Sequence, residues 1–131
     1  MAEQQTVPFR ADHVGSLLRP KELLSAREQA KAGHLAPGEL KEVEDDAIRR
    51  VAKMQEELGL HGITDGEFRR QAWHMDFLYQ FGGVTKQQDP LTIRFHSERG
   101  DVEFQPSSLR VTGKLKLEKT IFGEEFKFLQ S

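Results

Sequence analysis

One stripe of apolar residues constrains this chain more than any other feature. Between Glu39 and Leu58, Leu40, Val43, Ala47, Val51, Met54 and Leu58 recur at spacings of three and four residues. Residues so spaced share one helix face, so the spacing predicts an amphipathic helix of about five turns. Glu42, Glu44, Asp45, Arg49, Arg50, Lys53, Glu56 and Glu57 fall largely off the stripe. An apolar face of that length needs a second layer to cover it.

The flanking segments say what that layer is made of. Gly59 ends the helix, and Leu60 to Phe68 reads as a short strand, favoured by Ile63 and Thr64 and closed by Asp65-Gly66. Upstream, Lys21 to Ala32 is a short helix candidate, with Pro20 suited to its first turn and Gly33 to its stop. His34 to Gly38 is a connector. Asp12 to Pro20 has the look of a short strand ending in a glycine-containing loop, Val7 to Arg10 reads as extended, and Met1 to Thr6 as a polar frayed end. Helix, glycine, short apolar strand, then acids at the strand end is the rhythm of an α/β protein, in which the carboxyl ends of parallel strands carry the site.

Further on the pattern loosens. Arg69 to Phe81 is aromatic-rich, with Trp73, Phe77, Tyr79 and Phe81, and reads as an irregular helix broken by Gly82-Gly83. Leu91 to Phe95 and Asp101 to Phe104 resemble strands with Gly100 as a turn signal, and Arg110 to Leu117 alternates as another. Ile121 to Gln130 is amphipathic, with Phe122, Phe126, Phe128 and Leu129. The two strands of α/β type cannot close a barrel or a doubly wound sheet, so the pattern reads as the opening of something larger.

Length and charge narrow the function classes. At 131 residues the chain is expected to form one domain. Its 19 basic and 21 acidic residues leave a net charge of -2, which gives no electrostatic reason to expect nucleic acid or an anionic membrane as partner. There is no Cys, so disulfides, thiolate catalysis and cysteine-type zinc sites lie outside what this chain does alone. No apolar run approaches the roughly 18 residues of a membrane span, and the N-terminus lacks the apolar stretch of a signal peptide. The expected location is the cytoplasm.

Several side chains could carry chemistry. Asp65-Gly66-Glu67 places two carboxylates at a predicted strand end, where they could bind an amine or a metal or take a proton; taken alone, a turn with two solvated acids is the favoured reading. His13-Val14-Gly15-Ser16 puts an imidazole, a glycine and a hydroxyl at a strand-to-loop junction, where exposed N–H groups could hold a carboxylate or phosphate; an ordinary turn fits too. His13, Asp65, Glu67, His74 and His96 are of metal-ligating type, but no ligand spacing such as HExxH joins them, and scattered histidines are the favoured reading. Arg69-Arg70, Arg94, Arg99 and Arg110 could grip an anion, or be solvated.

Taken in order, these segments resemble the cobalamin-independent methionine synthase family, and more closely its shorter single-barrel members. Phe9 to Pro20 resembles the opening of the family's catalytic barrel. Gln55 to Leu60 followed by Ile63 to Arg70 resembles its second signature, a helix end running into a strand that finishes in Gly-Glu-Phe. Trp73 to Phe77 and Arg110 to Gly113 continue the match, so that it covers the chain from about Phe9 onward.

The resemblance implies an α/β fold, the N-terminal portion of a TIM (β/α)8 barrel, incomplete and with a β-hairpin-like insertion, formed by residues 1–131 with 1–8 as a frayed tail. It implies methyl transfer from a methyltetrahydrofolate polyglutamate to the zinc-bound thiol of homocysteine, in methionine biosynthesis. Val14, Gly15 and Ser16 would hold the amino-acid end of homocysteine, Glu67 its ammonium group, and Arg110 and Val111 would lie along the folate path. His13, Asp65 and His74 are further candidates without an assigned role. The family's zinc ligands are a His, a Glu and two Cys in later strands. Zinc therefore belongs to the complete family enzyme, none is expected for this chain alone, and the chain alone is expected to be inactive, with no catalytic residue assigned. The expected partners are small molecules, homocysteine or another thiol such as coenzyme M, together with methyltetrahydrofolate, and possible self-association through exposed barrel edges. The alternatives are a non-catalytic amino-acid-binding module and a degenerate fragment.

Overall fold

The computed structural model describes residues 15–72, 74–87, 92–98, 100–106 and 108–131. The elements run α1 (Lys21–Lys31), α2 (Pro37–Glu57), α3 (Met75–Leu78), β1 (Gly82–Lys86), β2 (Ile93–Ser97), β3 (Gly100–Phe104), β4 (Leu109–Lys116) and α4 (Gly123–Gln130). The protein is thus of mixed α and β structure. The described residues up to Arg69, with Glu124–Ser131, make one compact unit, and Arg70–Gly123 make a second.

The first unit is helical. Both long helices end as their sequences predict. Gly33 and Gly59 take left-handed backbone, φ 76° and 73°, just past α1 and α2. The amides that follow reach back to the carbonyls left open by the last turn: His34 N–H donates to Gln29 at 2.8 Å and Leu60 N–H to Gln55 at 3.1 Å. At the front of α2, the Glu39 carboxylate accepts the Ala36 N–H at 2.8 Å, and Pro37 starts the helix where its missing N–H costs nothing.

The core of this unit is Leu23 of α1, Ala47, Ile48 and Val51 of α2, and Phe68, with Leu17, Val43, Phe128 and Leu129 packed around it. The apolar stripe of α2 therefore holds through Val43, Ala47 and Val51 and then departs from expectation. Met54 and Leu58 are 44% and 69% exposed, while Ile48 and Gln55 are almost completely buried. The stripe turns because the segment around Thr64 lies over the C-terminal end of the helix on the Gln55 side. The Gln55 amide donates to Thr64 O at 2.8 Å and to Val51 O at 3.0 Å, and its carbonyl accepts Thr64 N–H at 3.1 Å.

That contact also corrects the strand expected over Leu60 to Phe68. No strand forms there; Ile63 to Asp65 are irregular and the chain turns from Gly66 to Arg69. A side-chain amide has taken both backbone groups of Thr64, so a neighbouring strand has nothing to pair with at that residue. Likewise Gly15 to Pro20 is without strand assignment, and Asp12 to Val14 lie outside the described residues. The described residues form no barrel and no parallel sheet.

Charge pairs tie the helices to the end of this unit's turn. Asp45, half-buried on α2, accepts from Lys41 at 2.8 Å and from Arg69. Burial works to raise its pKa, but hydrogen bonds and charge from Lys41 and Arg69 outweigh burial and hold the carboxyl below its usual range. A depressed folded value means that Asp45 stabilises the fold fully above the unfolded value, about 3.9, and that this contribution is lost as pH falls through the lower folded value. Asp45→Asn is expected to flatten the loss of stability below about pH 4; urea melts of both proteins at a series of acid pH values check this.

The second unit is built of two antiparallel pairs, β1 with β4 and β2 with β3. The strands expected near residues 91–117 are present, shifted by one or two residues. β1 is a correction: Gly82-Gly83, read as a helix breaker, begins a strand. The β1–β4 register slips between Gly82 and Val84, which is a bulge. Gly83 sits in it at φ 81°, and a side chain there would meet Lys114 O at 2.6 Å, so only glycine fits. The β2–β3 hairpin is two-faced: Arg94 and Glu103 pair at 2.7 Å, and His96 pairs with Asp101, while Phe95, Val102 and Phe104 are exposed. The irregular helix expected over Arg69 to Phe81 shrinks to α3, with Phe77 edge-on to Phe81 at 5.4 Å. Trp73 lies outside the described residues.

Candidate functional site

The turn from Thr64 to Phe68 is where the sequence-expected carboxylates meet structure. Gly66 and Glu67 are both left-handed, φ 66° and 57°. For Gly66 that backbone is ordinary, and a side chain there would come within 2.8 Å of the Phe68 ring. For Glu67 it is a sparsely populated conformation that persists only when the surroundings hold it.

The surroundings do hold it. Asp65 Oδ1 accepts the Glu67 N–H at 2.9 Å, and Thr64 Oγ1 accepts the Gly66 N–H at 3.2 Å. From the other side comes the run Gly15 to Arg19. Thr64 Oγ1 donates to Gly15 O at 2.9 Å, Leu17 N–H donates to Gly66 O at 3.1 Å, and the Arg19 guanidinium donates to Glu67 O at 2.9 Å. Arg27 of α1 reaches the next carbonyl, Phe68 O, and Phe68 itself is sunk in the core. The alternating residues Gly15, Leu17 and Arg19 thus face the turn, while Ser16 and Leu18 are exposed, Leu18 to 95%.

The structure therefore brings together four of the candidates, Gly15, Ser16, Asp65 and Glu67. Their roles separate. Asp65 spends one carboxylate oxygen on the turn backbone. Among the described residues the half-buried Glu67 carboxylate has no hydrogen-bond partner, although its backbone is tied on both sides. A carboxylate presented in this way can take a cationic or N–H-bearing group. Val14 and His13 lie outside the described residues. Arg110 and Val111 are exposed on β4, opposite Thr85 and Val84, and His74 is exposed just before α3; these three belong to the second unit.

The arginines proposed as anion grips are mostly occupied. Arg69 pairs with Glu44 and Asp45, Arg94 with Glu103, and the Arg70 guanidinium lies 4.1 Å from the Phe122 ring centre. Arg99 lies outside the described residues. A cleft of about 530 Å³ between α2 and α4, lined by Lys41, Glu44, Arg69, Glu124, Lys127 and Phe128, contains one of these arginines, Arg69, and none of the candidate substrate-binding residues. Sequence reasoning missed Arg19, Arg27 and Gln55. Arg19 and Gln55 each stand inside a motif already singled out, but nothing local marks either as a partner of the Thr64–Glu67 turn.

The metal test is one of donor chemistry. Among the described residues no three His, Asp or Glu side chains group as metal ligands, and the chain has no Cys. The His, Glu and two Cys implied by the resemblance are not a set that this chain can assemble from its own residues. Among the described residues no helix is long and apolar enough to cross a membrane.

Known proteins share this sequence and shape. The uncharacterized protein YxjG of Bacillus subtilis is 39% identical over 135 residues, covering 99% of this chain and 35% of that protein. The 5-methyltetrahydropteroyltriglutamate–homocysteine methyltransferase of Corynebacterium efficiens is 35% identical, covering 84% of this chain and 18% of that enzyme. Among solved structures, a putative vitamin-B12-independent methionine synthase from Listeria monocytogenes matches with a TM-score of 0.70 at 38% identity, over 93% of this chain and 31% of that one. A B12-independent methionine synthase from Shewanella sp. W3-18-1, in complex with selenomethionine, matches with a TM-score of 0.54 at 28% identity, over 74% of this chain and 27% of that one. No protein-family model matches.

By sequence and shape the chain matches a segment of proteins described as B12-independent methionine synthases. It belongs, as a segment, to the cobalamin-independent methionine synthase family. It spans about a third or less of the length of these relatives, from 18% to 35%.

Proposed function

We propose that this chain supplies the amino-acid-binding corner of a methionine-synthase-like thiol methyltransferase, with Gly15 and Ser16 beside the amino-acid end of homocysteine and Glu67 on its ammonium group. The observation that carries this reading is the Glu67 carboxylate, without a partner among the described residues and presented from a left-handed backbone pinned to Gly15–Arg19. An ammonium has three N–H donors and a full charge, and a carboxylate held in place loses little entropy in meeting it. The Shewanella neighbour in complex with selenomethionine, an amino acid of the same class, supports the same reading. A carboxylate here favours a thiol that carries an amine over coenzyme M, whose sulfonate it would repel.

In this reading Arg110 and Val111 lie along the path of methyltetrahydrofolate. The chain binds the amino acid but does not by itself transfer a methyl group, because the donor set for the zinc that activates the thiol in the family is not among its residues. The test is calorimetric titration of the chain with L-homocysteine and L-methionine. Glu67→Gln keeps the shape and removes the charge, and is expected to weaken binding at least about tenfold, the order of one charge-assisted hydrogen bond. No binding by the unmodified chain, or equal binding by Glu67→Gln, would overturn the assignment.

A further inference from the structure

We infer that Arg19 is a positioning residue that sets the direction in which the Glu67 side chain leaves the backbone. The direction of a Cα–Cβ bond is set by the two peptide planes that flank the Cα. At Glu67 each plane is held by a different group. The plane before it is fixed through the Glu67 N–H, which donates to Asp65 Oδ1 at 2.9 Å. The plane after it is held through the Glu67 carbonyl, which accepts from the Arg19 guanidinium at 2.9 Å, and more loosely through the Phe68 N–H, which donates to Asp65 O at 3.3 Å. A left-handed glutamate has no intrinsic preference for this geometry, so it is held by its neighbours, and Arg19 supplies the side-chain anchor of the second plane.

Arg19 is suited to the task by its place as much as by its chemistry. It closes a run in which Gly15, Leu17 and Arg19 each bond to the turn, so the segment flanking Ser16 and the backbone of Glu67 are held to one another. A planar guanidinium keeps its direction once placed, which a flexible ammonium does not. Arg27 cannot substitute, because it acts one plane later, at Phe68 O, and is shared with Glu44. Asp65, read from the sequence as a possible ligand-binding acid, becomes the second anchor of the same device.

The experiment is amide hydrogen exchange on the whole chain, with L-methionine titration beside it; the binding part alone rests on the proposed function. The reporters are the amides of Leu17 and Glu67, and the reference amides are those of Ile48 and Val51 in α2. Arg19→Ala is expected to lower protection at Leu17 and Glu67 at least tenfold more than in α2, and to weaken methionine binding at least fivefold. Arg19→Lys, which keeps one donor, is expected to recover most of the affinity. Arg50→Gln, which removes an exposed arginine paired to Glu22, is expected to change neither. If the Leu17 and Glu67 amides of Arg19→Ala exchange as in the unmodified chain, or lose protection only in step with α2, the inference is overturned. Should Arg19→Ala fail to fold, the same comparison on Arg19→Met, which keeps the aliphatic stem and removes every donor, decides: a loss no larger at the turn than in α2 overturns it. If the unmodified chain ignores methionine while the turn amides respond as expected, the proposed function fails and the role of Arg19 stands.

Discussion

Gln55→Leu is expected to lower the stability of this protein by about 2–5 kcal/mol, although the two side chains are close in size. Gln55 is 1% exposed, and both of its amide hydrogens and its carbonyl are used, on Val51 O and on the two backbone groups of Thr64. Leucine fills the volume and bonds to nothing. The part-buried Thr64 N–H and C=O then lose their partner, each at a cost of about 1–3 kcal/mol where water does not replace it. Domains of this kind are stable by roughly 5–15 kcal/mol, so the loss is a large part of the whole. Urea unfolding followed by circular dichroism measures it as a fall in midpoint. Gln55→Glu separates bonding from shape. At neutral pH the ionised acid can still accept the Thr64 N–H but faces the Thr64 carbonyl without a donor; once protonated it can serve both groups, so part of the lost stability should return on mild acidification. A Gln55→Leu protein as stable as its parent would mean that water reaches Thr64.

Phe68→Ala is expected to cost about 3–5 kcal/mol and to disorder the Glu67 turn with the core. Phe68 is 1% exposed and is the one member of the buried cluster that no helix carries. It joins Leu23 of α1 to Ala47, Ile48 and Val51 of α2, with Leu17 and α4 around it. Removing the ring leaves a cavity that helices pinned by Arg27–Glu44 and Arg69–Asp45 can close only in part. The melting midpoint is expected to fall by roughly 10–20 °C. Phe68→Leu keeps most of the volume and should lose less than about 1.5 kcal/mol. Because Phe68 directly follows the turn, Phe68→Ala should also abolish amino-acid binding, whereas Glu67→Gln should weaken binding and leave the melt unchanged. Calorimetry and thermal melts on the two variants separate a residue that builds the site from one that serves as the site.

The helices of this protein were legible because helix signals are local. The period of three and four over Leu40 to Val51, Pro37 at one end and Gly59 at the other are properties of neighbours in sequence, and α1 and α2 follow them to within a few residues. The β2–β3 and β4 strands were legible for the same reason, as alternation about a turn. The acids of Asp65-Gly66-Glu67 could be singled out as a pair, and the order of short motifs placed the chain in its family. Three matters waited for the tertiary structure. Whether Gly82-Gly83 ends a helix or bulges a strand depends on Lys114, about thirty residues away. The strand expected at Leu60 to Phe68 gave way to a turn because a buried side chain, Gln55, took the bonds a strand partner would have used. The two carboxylates look alike as sequence, and only the bonds from Asp65 to the Glu67 amide and from Arg19 to the Glu67 carbonyl divide them into an anchor and a binding group. Local propensity is set by a few adjacent residues, whereas the partner of a buried polar group is chosen by packing between segments far apart in the chain.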